Sequence, residues 1–162
     1  MVANYTDYAI GSFIDYLKSR PDFDETMIVI TGDHEGLASD RMLLCQSKEG
    51  KGIVSDKPFT PFIIVNSPIG IRYEAVMGQI DMYPTILNLM YLDDYIWKGM
   101  GQSILDKEKK PLAVSPQMDL EGNTEGVTSG EIQRLKNAYR ISDLLIRFNY
   151  FQPKRIEFCE VH

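Results

Sequence analysis

Met27-Ile28-Val29-Ile30-Thr31-Gly32-Asp33-His34 is the stretch on which the reading of this chain turns. A β-branched run without polar alternation predicts a strand buried on both faces, the pattern of parallel sheets in α/β proteins. Such sheets place their sites at the C-terminal ends of the strands. Gly32 frees the backbone to turn off the strand, so that Asp33 and His34 present a hard oxygen and an imidazole nitrogen at the rim. Together they are a candidate divalent-metal pair. The alternative is a capping aspartate followed by an ordinary loop histidine.

Two donors do not complete a metal site, since even a catalytic zinc normally has three protein ligands. The other histidine is His162, and Cys45 and Cys159 lie far apart with no C-x-x-C pair. The surroundings are more informative. Ile10, Phe13, Ile14 and Leu17 form the stripe of an amphipathic helix near 4–19, which Pro21 ends. The apolar run then predicts a strand near 26–32. Thr60-Pro61-Phe62-Ile63-Ile64-Val65-Asn66 predicts a second near 61–66. In Gln79-Ile80-Asp81-Met82-Tyr83-Pro84-Thr85, Asp81 is placed to cap a helix near 82–92 with Pro84 in its first turn.

This succession resembles the C-terminal part of the catalytic domain of the sulfatase family, in the alkaline phosphatase superfamily. The branch with lipoteichoic acid synthases and phosphoethanolamine transferases is the most similar. The matching features are the helix with Asp7 and Gly11, the strand ending in Gly32-Asp33-His34, the strand after Thr60-Pro61, and the Asp81 to Thr85 helix start. Gly99-Met100-Gly101-Gln102-Ser103-Ile104-Leu105 resembles the family's glycine-serine segment after that helix. The resemblance implies a partial alkaline phosphatase-like α/β sandwich, with a central, mostly parallel sheet flanked by helices. It implies that Asp33 and His34 are metal ligands for Mn²⁺, Mg²⁺, Ca²⁺ or Zn²⁺, and that the nucleophile and remaining ligands belong to an N-terminal half. No C-x-P-x-R or C-x-A-x-R signature is present, so no catalytic nucleophile is assigned.

The length of 162 residues fits one domain-sized core, about half of what a complete catalytic domain of this family would need. We therefore expect a fragment, with residues 1–106 the C-terminal part of the catalytic domain and 107–162 an extension carrying a helix near 130–149. Ile132, Leu135, Ala138, Tyr139, Ile141, Leu144, Leu145 and Phe148 give that helix its apolar positions, and Pro153 stops it. Neither a leader nor an apolar run of about 20 residues is visible. The parent would be membrane-anchored with an extracytoplasmic catalytic domain.

A net charge of −6 disfavours a nucleic-acid partner, and none is expected, because phosphate backbones call for clustered lysine and arginine. Lys107 to Lys110 reads as a solvated turn before Pro111. Residues 35–57 read as an irregular loop in which Arg41, Lys48 and Lys51 are available to an anion but serve first as solubilising charge. Arg72 and Tyr73 read as surface residues. Tyr91, Tyr95 and Trp97 read as closing a core edge, and Met77, Met82, Met90 and Met100 as filling gaps. Leu112 to Val114 reads as a short strand and Asp119 to Gly130 as a loop.

The expected function is a share of the metal site of a phosphoric- or sulfuric-ester hydrolase or transferase, with no turnover by this chain alone. The alternative is a non-catalytic α/β module that binds a protein through an exposed sheet edge. An open edge would also favour a homodimer.

Overall fold

A computed structural model of the chain describes residues 2–34, 38–51, 57, 59–92, 94–115 and 117–148. Cys159, His162 and the stop at Pro153 lie outside the described residues. The chain divides into two compact units, Met1–Gly70 and Ile71–His162.

The first unit runs α1 (Val2–Lys18), a 3₁₀ turn (Phe23–Glu25), β1 (Ile28–Thr31), α2 (Ala38–Gln46) and β2 (Phe62–Val65). β1 and β2 form a two-stranded sheet with Ile28 opposite Val65 and Thr31 opposite Phe62. The pair is antiparallel, which corrects the parallel sheet expected here; no central parallel sheet exists among the described residues. The physical reason is that an apolar run reports burial and carries no information about strand direction. Burial is itself incomplete, because Thr31 is exposed and Ile63 is 53% exposed. Of the α1 stripe, Ile14 and Leu17 are half-buried while Ile10 and Phe13 remain exposed.

α2 is a second correction, since it occupies part of the segment read as irregular. Its Met42-Leu43-Leu44 run has no helical period and all three side chains are exposed, so the pattern gave no signal. The helix ends on Ser47, whose hydroxyl donates to the Leu44 carbonyl at 2.7 Å and accepts from the Gly50 amide at 2.9 Å.

Asn66, at the end of β2, takes φ +57°. Its side-chain amide donates to the carbonyls of Phe23 at 2.8 Å and Thr26 at 3.0 Å, binding the strand end to the turn that launches β1.

The second unit contains a 3₁₀ turn (Gln79–Asp81), α3 (Met82–Leu89), β3 (Leu112–Val114), β4 (Leu120–Gly122) and α4 (Ser129–Arg147). β3 and β4 pair antiparallel. β4 lies within the stretch expected to be loop, where Gly122 at φ +109° sits against the Pro111 carbonyl. Leu112, Val114 and Leu135 form the core, joined by Ile80, Leu120, Val127 and Tyr139. α4 therefore packs on the β3–β4 hairpin. Its first turn is a capping box: the Thr128 hydroxyl accepts the Glu131 amide at 3.2 Å, and the Glu131 carboxylate accepts the Thr128 amide at 2.7 Å.

Asp81 occupies the N-cap position of α3, but its side chain makes no capping bond there. It is 2% exposed, and its carboxylate accepts the amides of Gly78 at 3.0 Å and Gln102 at 2.9 Å. Lys109 Nζ lies 3.3 Å from the same carboxylate with its side chain 5% exposed. This corrects the solvated-turn reading of Lys107 to Lys110 for Lys109, which also donates to the Lys110 carbonyl at 2.6 Å. Tyr73 and Tyr139 have phenols pushed above their ordinary range, first by burial and second by the Asp81 charge. Trp97 stacks on Tyr83 with ring centroids 5.0 Å apart, and its Nε1 donates to the Gly101 carbonyl at 2.9 Å.

α3 ends in a Schellman arrangement, with Leu92 N donating to Leu87 O and Tyr91 N to Asn88 O, both at 3.0 Å. Tyr91 holds φ +56°, the position glycine normally fills.

Three outcomes are expected. Asn66→Ala should lower stability by about 1–2 kcal/mol, combining two lost hydrogen bonds with a left-handed alanine. Asn66→Gly should lose less, and equal urea midpoints for the two variants would contradict the strain component. Tyr91→Gly should raise stability by about 1 kcal/mol, seen as a higher thermal midpoint, because the exposed phenol forfeits little packing. The Thr128 amide, then its hydroxyl, hold the Glu131 carboxyl below its ordinary 4.5. With the folded value depressed, the cap's contribution is present above 4.5 and is lost as pH falls through the folded value. Acid titration followed by circular dichroism should show this loss in the wild type and not in Glu131→Gln.

Candidate functional site

β1 ends at Thr31, and the next three residues carry the candidate site. Gly32 has no positive φ; its glycine is explained by crowding. A Cβ there would stand 3.3 Å from the His34 carbonyl and 3.5 Å from the Thr60 methyl. The turn expected from backbone freedom is thus set by close approach of the segment that enters β2.

Asp33 and His34 lie together beyond the strand. His34 Nε2 is 3.7 Å from Asp33 Oδ1, with side chains 79% and 92% exposed respectively. Metal bonds to nitrogen and carboxylate oxygen run about 2.0–2.2 Å, and two of them span up to about 4.2 Å, so the separation is within the reach of a single ion. The donor chemistry, one anionic oxygen and one neutral imidazole, suits a borderline divalent cation. Full exposure leaves both side chains hydrated at little cost, whereas a buried pair would need a counter-charge at once.

Among the described residues, no group of three or more histidine, cysteine, aspartate or glutamate side chains could hold a metal. Cys45 is half-buried on α2, where its thiol donates to the Met42 carbonyl at 3.4 Å. Arg41 lies on α2, and Lys48 and Lys51 lie in the turn that follows it. Arg72 pairs with Glu74 at 3.1 Å on the surface.

The residue that sequence reasoning missed is Asp81, whose burial has the look of a site. The cavity beside it, between Asp81, Tyr139 and Leu112, measures about 10 Å³. That is room for one water at most. Its carboxylate is answered by two amides and an ammonium, so it organises the fold and does not receive a substrate. The resemblance marks the Asp81 helix start and the glycine-serine segment some twenty residues on as separate features, and nothing in either signals that the two meet. Among the described residues, no helix is long and apolar enough to cross a membrane.

Comparison with known proteins gives a family match. Residues 2–92, which include β1, Asp33, His34 and α3, match the Sulfatase family model. Lipoteichoic acid synthase of Staphylococcus saprophyticus is 30% identical over 111 residues, covering 65% of this chain and 17% of that protein. Lipoteichoic acid synthase 2 of Bacillus subtilis is 29% identical over 114 residues, 67% of this chain and 18% of that protein. Lipoteichoic acid synthase of Staphylococcus aureus (strain USA300) is 26% identical over 141 residues, 83% and 22% of the two chains. The chain spans 17–22% of the length of these relatives. No solved structure matches. The family match takes in more than half of the chain and every element that positions Asp33 and His34, and on that evidence the chain belongs to the Sulfatase family.

Proposed function

We propose that this chain contributes Asp33 and His34 to the divalent-metal site of a phosphoric-ester hydrolase or transferase. The observation that carries the reading is the exposed Asp33–His34 pair at the end of β1, 3.7 Å apart and inside the segment that matches the family. A metal bound there would polarise an ester oxygen and lower the pKa of a nucleophile. Asp33 supplies negative charge and His34 a neutral nitrogen, while Gly32 and Thr60 hold the turn that aims both outward. The ion is Mn²⁺, Mg²⁺, Ca²⁺ or Zn²⁺, because two mixed donors admit all four.

The relatives named as lipoteichoic acid synthases favour a phosphate ester over a sulfate ester as substrate. On the same family grounds the full-length protein is a membrane-anchored enzyme with its catalytic domain outside the cytoplasm. The nucleophile and the other ligands come from the larger part of those relatives that this chain does not cover. By itself the chain should show no ester turnover.

A second reading, a non-catalytic module that binds a protein along its sheet, is favoured by one observation. The β1–β2 sheet has only two strands among the described residues, and two strands alone are marginal in water.

Titration with Mn²⁺ alone separates the two. Paramagnetic broadening should fall on the Asp33 and His34 resonances first, with an affinity of about 1 mM or weaker because the shell is incomplete. His34→Ala should abolish the selectivity. Broadening spread evenly over the exposed carboxylates would remove the metal reading and leave the second.

A further inference from the structure

Residues 97–110 lie within the connection from α3 to β3, without a helix or strand, and half of them are exposed. Ser103 is buried, Met100, Gly101, Gln102, Ile104 and Leu105 are half-buried, and the Lys109 side chain is 5% exposed. Apart from Trp97 on Tyr83, the named contacts that hold them are polar, and these converge on a few atoms. The Gln102 amide donates to Asp81 Oδ1, and Lys109 Nζ pairs with Asp81 Oδ2. The Ile104 amide donates to Thr85 Oγ1 at 3.1 Å, and that same hydroxyl donates to the Asp81 carbonyl at 2.6 Å. Gly101 lies so close to the preceding turn that a Cβ would collide with the Ile80 carbonyl. Beyond these, Arg134 of α4 donates to the Met100 carbonyl at 2.6 Å.

We propose that residues 97–110 are a strap that opens and closes as one piece over the start of α3, with the Asp81 carboxylate as its latch. The tethers share atoms, so they fail together. If Gln102 leaves, Asp81 loses a donor that its buried charge requires, and Lys109 is left holding a carboxylate with one amide fewer. Displacing Asp81 also shifts the carbonyl that orients the Thr85 hydroxyl, which then releases Ile104. The unit's core cluster of Leu112, Val114 and Leu135 lies beyond the strap's C-terminal end, so the motion need not disturb it. Segments outside the core cluster open as cooperative units below the global unfolding free energy. Closed, the strap reduces Asp81 to 2% and Thr85 to 1% exposure. Open, it presents a carboxylate and a hydroxyl to water.

Hydrogen exchange on the intact chain tests this. In the wild type, the amides of Gln102 and Ile104 should exchange at a common rate, faster than those of β3 and of α4 near Leu135. Asp81→Asn should accelerate both by about ten-fold or more, with β3 and α4 unchanged. Gly101→Ala, which wedges the strap and deletes no polar group, should do the same, and it stands in if Asp81→Asn does not fold. Different rates for Gln102 and Ile104 in the wild type would overturn the single-piece opening. So would acceleration of every amide of the unit in the same ratio, or no acceleration in Gly101→Ala.

Discussion

A carboxylate withdrawn from water must be answered by donors, and around Asp81 that requirement organises the second unit. Its two oxygens take the Gly78 amide behind it, the Gln102 amide across from it and the Lys109 ammonium. Each donor pins a different stretch of backbone. The 3₁₀ turn before α3, the segment after it and the approach to β3 are therefore mutually placed by one side chain. Replacing such a pair by apolar groups is often tolerated, but removing one partner strands a buried charge at a cost of about 3–5 kcal/mol. The arrangement confers position more than net stability.

The first unit rests on a different constraint. Two four-residue strands offer few ladder bonds, so the turn after β1 and the end of β2 are secured from outside the sheet. Asn66 ties one end to Phe23 and Thr26, and Gly32 admits the His34 carbonyl and Thr60 at the other. The Asp33–His34 pair stands just past that second end. Its exposure follows from where β1 stops, and its spacing from two adjacent residues leaving the strand on the same side.

How much of this could be read from residues alone depends on what kind of signal each feature leaves. α1, β1, β2, α3 and α4 all lie where periodicity, proline and glycine placed them, because burial on one face imposes a repeat that composition records. The Asp33–His34 pair was legible for the same reason, as strand grammar followed by two donors. Strand direction was not, since pairing depends on distant backbone that leaves no mark in an apolar run. α2 was missed because its apolar residues are consecutive and face solvent. The residues alone make Asp81 a helix cap and Lys109 part of a solvated turn, and only the meeting of segments more than twenty residues apart makes the burial of this pair possible.

The contact between Trp97 and Tyr83 has an optical consequence. Trp97 is the single tryptophan of the chain, and it sits at the head of the 97–110 segment with its ring on α3 and its N–H bonded to Gly101. Tryptophan emission from this protein is therefore a local signal. It originates at the junction of the segment with α3, shifts to the red when the indole leaves the phenol for water, and is silent about the unit that bears Asp33 and His34.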